Sequence, residues 1–183
     1  MGIFERIANS IFRISREDSR KRWLLTPLVA FLFLCFVSLF FIAASIVDRA
    51  LKLPSISYIP WTLIAGLILL IPGTIVLVWT WIQFLRAKGT PVPINPPQEL
   101  ITGGLYAYSR NPMLLGIFLI VFATGFLTGS LSLTLFFSPL FVLFFYFQIT
   151  LVEEKEMELK FGQDYLDYKQ RVPRFFPKIL RGN

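Results

Sequence analysis

The hydrophobic pattern divides the chain into four long apolar runs joined by short polar segments. Leu24 to Val47 is almost uncharged, and at about 1.5 Å per residue it is long enough to cross roughly 30 Å of hydrocarbon. A second run, Ile59 to Leu85, contains Pro72, which predicts a kink of the kind neighbouring membrane helices tolerate. Trp61, Trp79 and Trp81 lie towards its ends, where indoles favour the membrane interface. The third run, Met113 to Leu127, is short, and the fourth, Leu131 to Val152, follows after only Thr128, Gly129 and Ser130. Those two therefore form a tight helical hairpin. Ahead of the first run, Ile3, Phe4, Ile7, Ile11 and Phe12 recur at helical spacing while Arg6, Arg13 and Arg16 take other positions. This is the pattern of an interfacial helix lying on an anionic leaflet. The predicted fold is all-α: a polytopic membrane protein with about four transmembrane helices, an N-terminal interfacial helix and a cytoplasmic helical tail.

Composition agrees with lipid as the solvent. The 183 residues are 55% hydrophobic with a mean hydropathy of +0.66, well beyond an ordinary soluble domain. One integral membrane domain, 1–183, is expected, with the interfacial helix and spans one and two in 1–88 and a core in 89–183. The first run reads as a span and not as a cleaved leader, because no small-residue cleavage site follows it before Asp48 and Arg49. Lys and Arg number six before span one, two between spans one and two, three between spans two and three, and seven after span four. Four crossings put sixteen of the eighteen on one side, so the excess of basic residues makes both termini cytoplasmic, in a bacterial cytoplasmic membrane.

The net charge is +7 and there is no histidine, which removes imidazole as base, metal ligand or pH switch. The one cysteine, Cys35, sits inside an apolar run, where it reads as a buried, inert thiol; neither a disulfide framework nor a thiolate metal site is possible. No ionisable residue lies mid-span, which argues against an ion or proton path.

Chemistry concentrates on either side of the hairpin. Gly89 to Pro97 carries too many prolines for a helix or a central strand and reads as a stiff loop. Next come Gly103, Gly104, Tyr106, Tyr108, Arg110, Asn111 and Pro112. Asn111 suits an N-cap and Pro112 the first helical position, and the free amides at such a helix start suit a carboxylate or phosphate. Arg110 either pairs with that anion or snorkels to headgroups. Beyond span four, Glu156 and Lys160 are i, i+4 partners on what reads as a solvated helix face. Glu153 and Glu154 sit where the apolar helix leaves the membrane, a depth at which carboxylates are costly unless partnered. They are candidate site residues.

Together these residues resemble the isoprenylcysteine carboxyl methyltransferase and phospholipid methyltransferase superfamily of integral membrane enzymes. The shared pattern runs through Gly104, Tyr106, Arg110, Asn111, Pro112 and Gly116, then Glu153, Glu154 and Met157, then Phe161, Gly162, Tyr165, Tyr168, Arg174 and Pro177. It covers about residues 90 to 178, in the family's order and spacing. The resemblance implies S-adenosylmethionine as cofactor, held between the start of span three and the helix continuing span four, and a lipid-like acceptor arriving from the bilayer. It implies Arg110 and Glu154 as catalytic residues, and Gly104, Tyr106, Tyr108, Asn111, Pro112, Glu153 and Glu154 around the cofactor. Two departures bear on the acceptor: Asn111 stands where many isoprenylcysteine enzymes have histidine, and Leu114 where they have tyrosine.

A carboxylate acceptor carries a free lone pair at neutral pH and needs no base, whereas an amine must first lose a proton. The family resemblance makes carboxyl O-methylation the leading expectation and phospholipid N-methylation its alternative. The partners expected are membrane lipids and the lipid-like acceptor, with no nucleic acid and no metal; the oligomeric state stays open. A nicotinamide-dependent membrane reductase and a non-enzymatic scaffold are the competing classes, although nothing resembles a dinucleotide glycine fingerprint.

Overall fold

The computed structural model describes residues 2–15, 19–56 and 60–175; Arg16, Ile59 and Pro177 lie outside them. The described residues form helices and turns and no strand. After the N-terminal helix Ile3–Ser15 come span one, Ser19–Ala50, and span two, Pro60–Arg86. Span three is Pro112–Thr128, 17 residues long, and span four belongs to one helix, Leu133–Phe161. A tail helix, Gln163–Arg171, follows. Three of these helices are long and apolar enough to cross a membrane and span three is a shorter apolar one. The chain is an all-α polytopic membrane protein.

Span one outruns its apolar core at both ends because Ser19 to Arg22 and Asp48 to Ala50 keep helical geometry. The helix of span four contains two wide π turns, Leu133–Phe137 and Ile149–Glu153. The first precedes Pro139, which lacks an N–H and crowds the carbonyl four residues earlier. There the Ser138 hydroxyl donates to the Leu133 carbonyl, 2.7 Å. The second π turn ends one residue before Glu154.

Two compact units emerge, one from Ala30–Leu77 and Leu114–Tyr146, the other from Met1–Val29, Val78–Met113 and Phe147–Asn183. The first is built on aromatic edges. Phe141 is fully buried and meets Phe40 at 5.2 Å, Phe118 at 6.1 Å and Phe145 at 4.8 Å. Phe33 and Phe36 extend the same stripe of span one onto Phe145. Side chains off that stripe face outward, so Cys35 is exposed and not buried as the apolar run suggests. Glycines let spans two and three approach closely: a Cβ on Gly116 would stand 2.9 Å from the Gly73 carbonyl, and one on Gly73 2.9 Å from the Leu119 Cβ. At the polar end, Gly129 turns with φ +68. Asp48 receives the Ser130 hydroxyl and the Ser132 N–H at 3.0 Å, closing free donors where the helix of span four begins.

The other unit holds the N-terminal helix, the proline loop, the turn Gly104–Ala107 and the tail, beside the candidate site residues of the sequence. Gly89 is obligatory, since a Cβ there would lie 2.4 Å from Pro97. The Lys160 ammonium donates to the Pro97 carbonyl, 2.6 Å, which fixes the loop against the end of the span-four helix. Glu156, expected on a solvated face, is only 4% exposed, because the loop and the N-terminal helix pack along this stretch.

A side chain at the glycine contact must push the two backbones apart. Gly116→Leu is expected to cost about 1–3 kcal/mol, read as a lower thermal midpoint of the purified protein in detergent, whereas Cys35→Ser, at an exposed position, should leave the midpoint unchanged.

Candidate active site

The end of span four cannot leave a carboxylate dry without partners, and Glu154, 3% exposed, has three. Its Oε1 takes the Arg110 Nη1 at 2.9 Å and the Arg174 Nε at 2.7 Å. Its Oε2 takes the Lys169 ammonium at 2.9 Å. Lys169 also reaches Glu158, 2.8 Å away and one turn along the helix. Around this centre, three cations therefore face two carboxylates.

Local geometry explains how distant residues meet here. Gly162, with φ +55, breaks the span-four helix from the tail helix. The tail helix then turns Tyr165, Tyr168 and Lys169, three and four residues apart, onto one face. Tyr165 accepts a hydrogen bond from Arg110 Nη1, 3.2 Å, and Tyr168 donates to the Tyr106 carbonyl, 2.7 Å. The chain after the tail helix adds a short backbone clasp. The Arg110 N–H donates to the Pro173 carbonyl, 2.9 Å, and the Asn111 N–H to the Arg174 carbonyl, 3.1 Å.

Asn111 thus works differently from a simple cap. It directly precedes Pro112, the first residue of span three, but its side-chain amide donates to the Arg174 carbonyl, 3.3 Å. Ser109 reinforces the clasp, donating to that carbonyl at 3.2 Å. Tyr106 is 7% exposed and stands edge-on to Phe84, 6.0 Å between ring centres. Gly104 adopts φ +61, and a Cβ there would strike the Gln83 amide at 2.2 Å. Gln83 in turn donates to the Gly103 carbonyl, 3.1 Å.

Of the residues singled out from sequence, Arg110, Asn111, Glu154 and Tyr106 thus join one network with Tyr165, Tyr168 and Arg174. Pro112 opens the adjoining helix. Gly104 shapes the turn that carries Tyr106. Glu153 has no ion pair among the described residues, and its charge is felt at the Tyr106 phenol. Tyr108 is 65% exposed and takes no part in these contacts. Sequence reasoning missed Lys169, whose spacing from Tyr165 was the available signal, and Gln83, which carries none.

Burial raises the Tyr165 phenol to about 12, with Arg110 pulling it down and Glu154 pushing it up. Burial, above all, also raises Tyr106 and Tyr168. All three stay protonated at neutral pH, so they serve as hydrogen-bonding phenols. Lys169 is raised above its usual 10.5, chiefly by its hydrogen bond to Glu158, with Glu154 adding to this. Its contribution to stability is therefore complete below its ordinary pKa and is lost only as pH rises through the raised one.

Removing the Glu154 charge would strand the Arg110 and Arg174 guanidiniums and leave Lys169 with Glu158 alone. Breaking one side of a buried ionic group costs about 3–5 kcal/mol, so Glu154→Gln is expected to lower the thermal midpoint and speed proteolytic cleavage of the tail beyond Gly162. Glu158→Gln, which leaves Lys169 its bond to Glu154, should have a small effect on both.

Comparison with known proteins bears on the same segments. Residues 61–164 match the family model described as phospholipid methyltransferase. The protein-S-isoprenylcysteine O-methyltransferase of Schizosaccharomyces pombe is 38% identical over 85 residues, which are 46% of this chain and 36% of that protein. The chain thus spans about a third of the length of the curated relative it matches. No solved structure matches it. With more than half of its length covered by the family model, the chain belongs to the phospholipid methyltransferase family.

Proposed function

We propose that this protein is an S-adenosylmethionine-dependent methyltransferase acting on a lipid-like acceptor at the cytoplasmic membrane face, by carboxyl O-methylation. The observation that carries the reading is the buried network around Glu154, in which Arg110 and Arg174, far apart in sequence and both in the family pattern, converge on one carboxylate. Family and relative are both named for methyl transfer. The relative acts, by its name, on isoprenylcysteine, an acceptor that ends in a carboxylate.

The residues fit the cofactor's charges. S-adenosylmethionine carries a carboxylate, an ammonium and a sulfonium. Arg110 is 8% exposed at its side chain, and its Nε is buried with no partner. An unspent buried donor of this kind costs about 1–3 kcal/mol, and beside an excess of positive charge it suits the carboxylate. Glu153, without an ion pair among the described residues, suits the ammonium or the sulfonium. When bound, the cofactor supplies an electrophilic methyl group.

The chain's own part is to position groups and exclude water. Glu154 does not bind a ligand cation with a free oxygen; both its oxygens hold protein cations, so it orients Arg110. Tyr165 fixes that guanidinium from the other side. A carboxylate acceptor attacks without a base, which accords with a chain that has no histidine. Alignment of the cofactor and acceptor beside these buried charges then supplies the rate enhancement. The distribution of Lys and Arg supports a cytoplasmic site and cytoplasmic termini.

Purified protein in lipid, given labelled S-adenosylmethionine with a prenylcysteine analogue or with phosphatidylethanolamine, is expected to put label into a base-labile ester of the analogue. Label in the amine headgroup would replace O-methylation by N-methylation. Label in neither would count against the enzyme reading itself.

A further inference from the structure

The N-terminal helix has two different faces. Its inward face packs on the span-four helix through Ile149–Glu153 and Glu154–Phe161, with Ala8 only 1% exposed. Glu5 lies 3.7 Å from Lys155 on that helix. Its outward face remains uncovered by protein: Ile3 is 69% exposed, Phe4 43% and Ile7 42%. At 3.6 residues per turn, Ile3 and Ile7 share one outward stripe with Phe4 at its edge. Arg6 and Arg13, seven residues apart, share the stripe beside it, and both are exposed.

We infer that this outward face is a docking surface for an anionic phospholipid leaflet, and that docking there steadies the turn that carries Glu153 and Glu154. The occupant follows from the pairing of chemistries. An apolar stripe alone would suit any hydrocarbon, but one flanked by two exposed guanidiniums suits an interface bearing negative headgroups. The one acidic side chain of the helix, Glu5, is turned towards Lys155 and leaves the outward face positive. The helix therefore lies between the leaflet on one side and the Ile149–Glu153 π turn on the other. A π turn is a rare single-turn departure from α-helical hydrogen bonding, so its stability leans on what packs against it. Whatever holds the N-terminal helix in place also restrains that turn.

The test compares amide hydrogen exchange of the full chain in nanodiscs of phosphatidylcholine alone with nanodiscs also containing phosphatidylglycerol. It needs neither cofactor nor acceptor, so its outcome is independent of the enzymatic reading. Residues 3–15 and 149–161 are both expected to gain protection with phosphatidylglycerol, about thirtyfold for two basic contacts. The double variant Arg6→Gln, Arg13→Gln should lose that gain while matching the unaltered protein in phosphatidylcholine. The variant Arg6→Lys, Arg13→Lys, with charge kept, should retain it. Equal protection in the two lipids would overturn the inference. So would protection that follows protein concentration and not lipid charge, because a second copy of the chain would then be the occupant. Protection gained by 3–15 but not by 149–161 would overturn the coupling to the turn.

Discussion

Everything at this end of the molecule depends on one buried carboxylate. Glu154 sits at the mouth of an otherwise apolar helix, where desolvation would expel an unpaired charge, and its burial is tolerated because cations from three separate segments surround it. Arg110 comes from the loop before span three, Lys169 from the tail helix and Arg174 from the chain beyond it. The electrostatic requirement of a single residue thus folds the tail back onto the end of the span-four helix. The clasp between Arg110, Asn111 and the carbonyls of Pro173 and Arg174 then locks it there.

The same requirement reassigns the pair that the sequence brings to notice. Read separately, Arg110 binds a ligand's anion and Glu154 a ligand's cation; in the fold they are each other's partner, and the group left with unspent bonding capacity is the Arg110 Nε. The centre holds one guanidinium in a single orientation through Glu154 and Tyr165, with phenols that stay protonated and a second carboxylate, Glu153, without an ion pair among the described residues; the proposed ligand recognition rests on that guanidinium.

The spans were legible because length and apolarity alone dictate them, and the family pattern contained Arg110, Glu154 and Arg174, which meet in the fold. What the sequence hid is what depends on three-dimensional partners. Lys169 looked like one more basic residue of a charged tail until the turn at Gly162 swung it onto Glu154. Glu156 looked solvated because its i, i+4 partner was in view, and the proline loop that Lys160 also holds was not. Cys35 looked buried because an apolar run in a membrane helix does not say which residues face protein and which face lipid. Tyr108 shared the sequence setting of Tyr106, yet the short turn Gly104–Ala107 buries only the first of them.

The central claim is that a guanidinium fixed by Glu154 holds an S-adenosyl ligand. Calorimetric titration of S-adenosylhomocysteine into the purified chain in nanodiscs tests it most directly. Saturable binding by the unaltered protein, weakened at least about tenfold in Arg110→Gln, the cost of about 1.4 kcal/mol expected for a charged hydrogen bond, is the predicted result. An unaltered protein that does not bind, or an Arg110→Gln variant that binds as tightly, would contradict it.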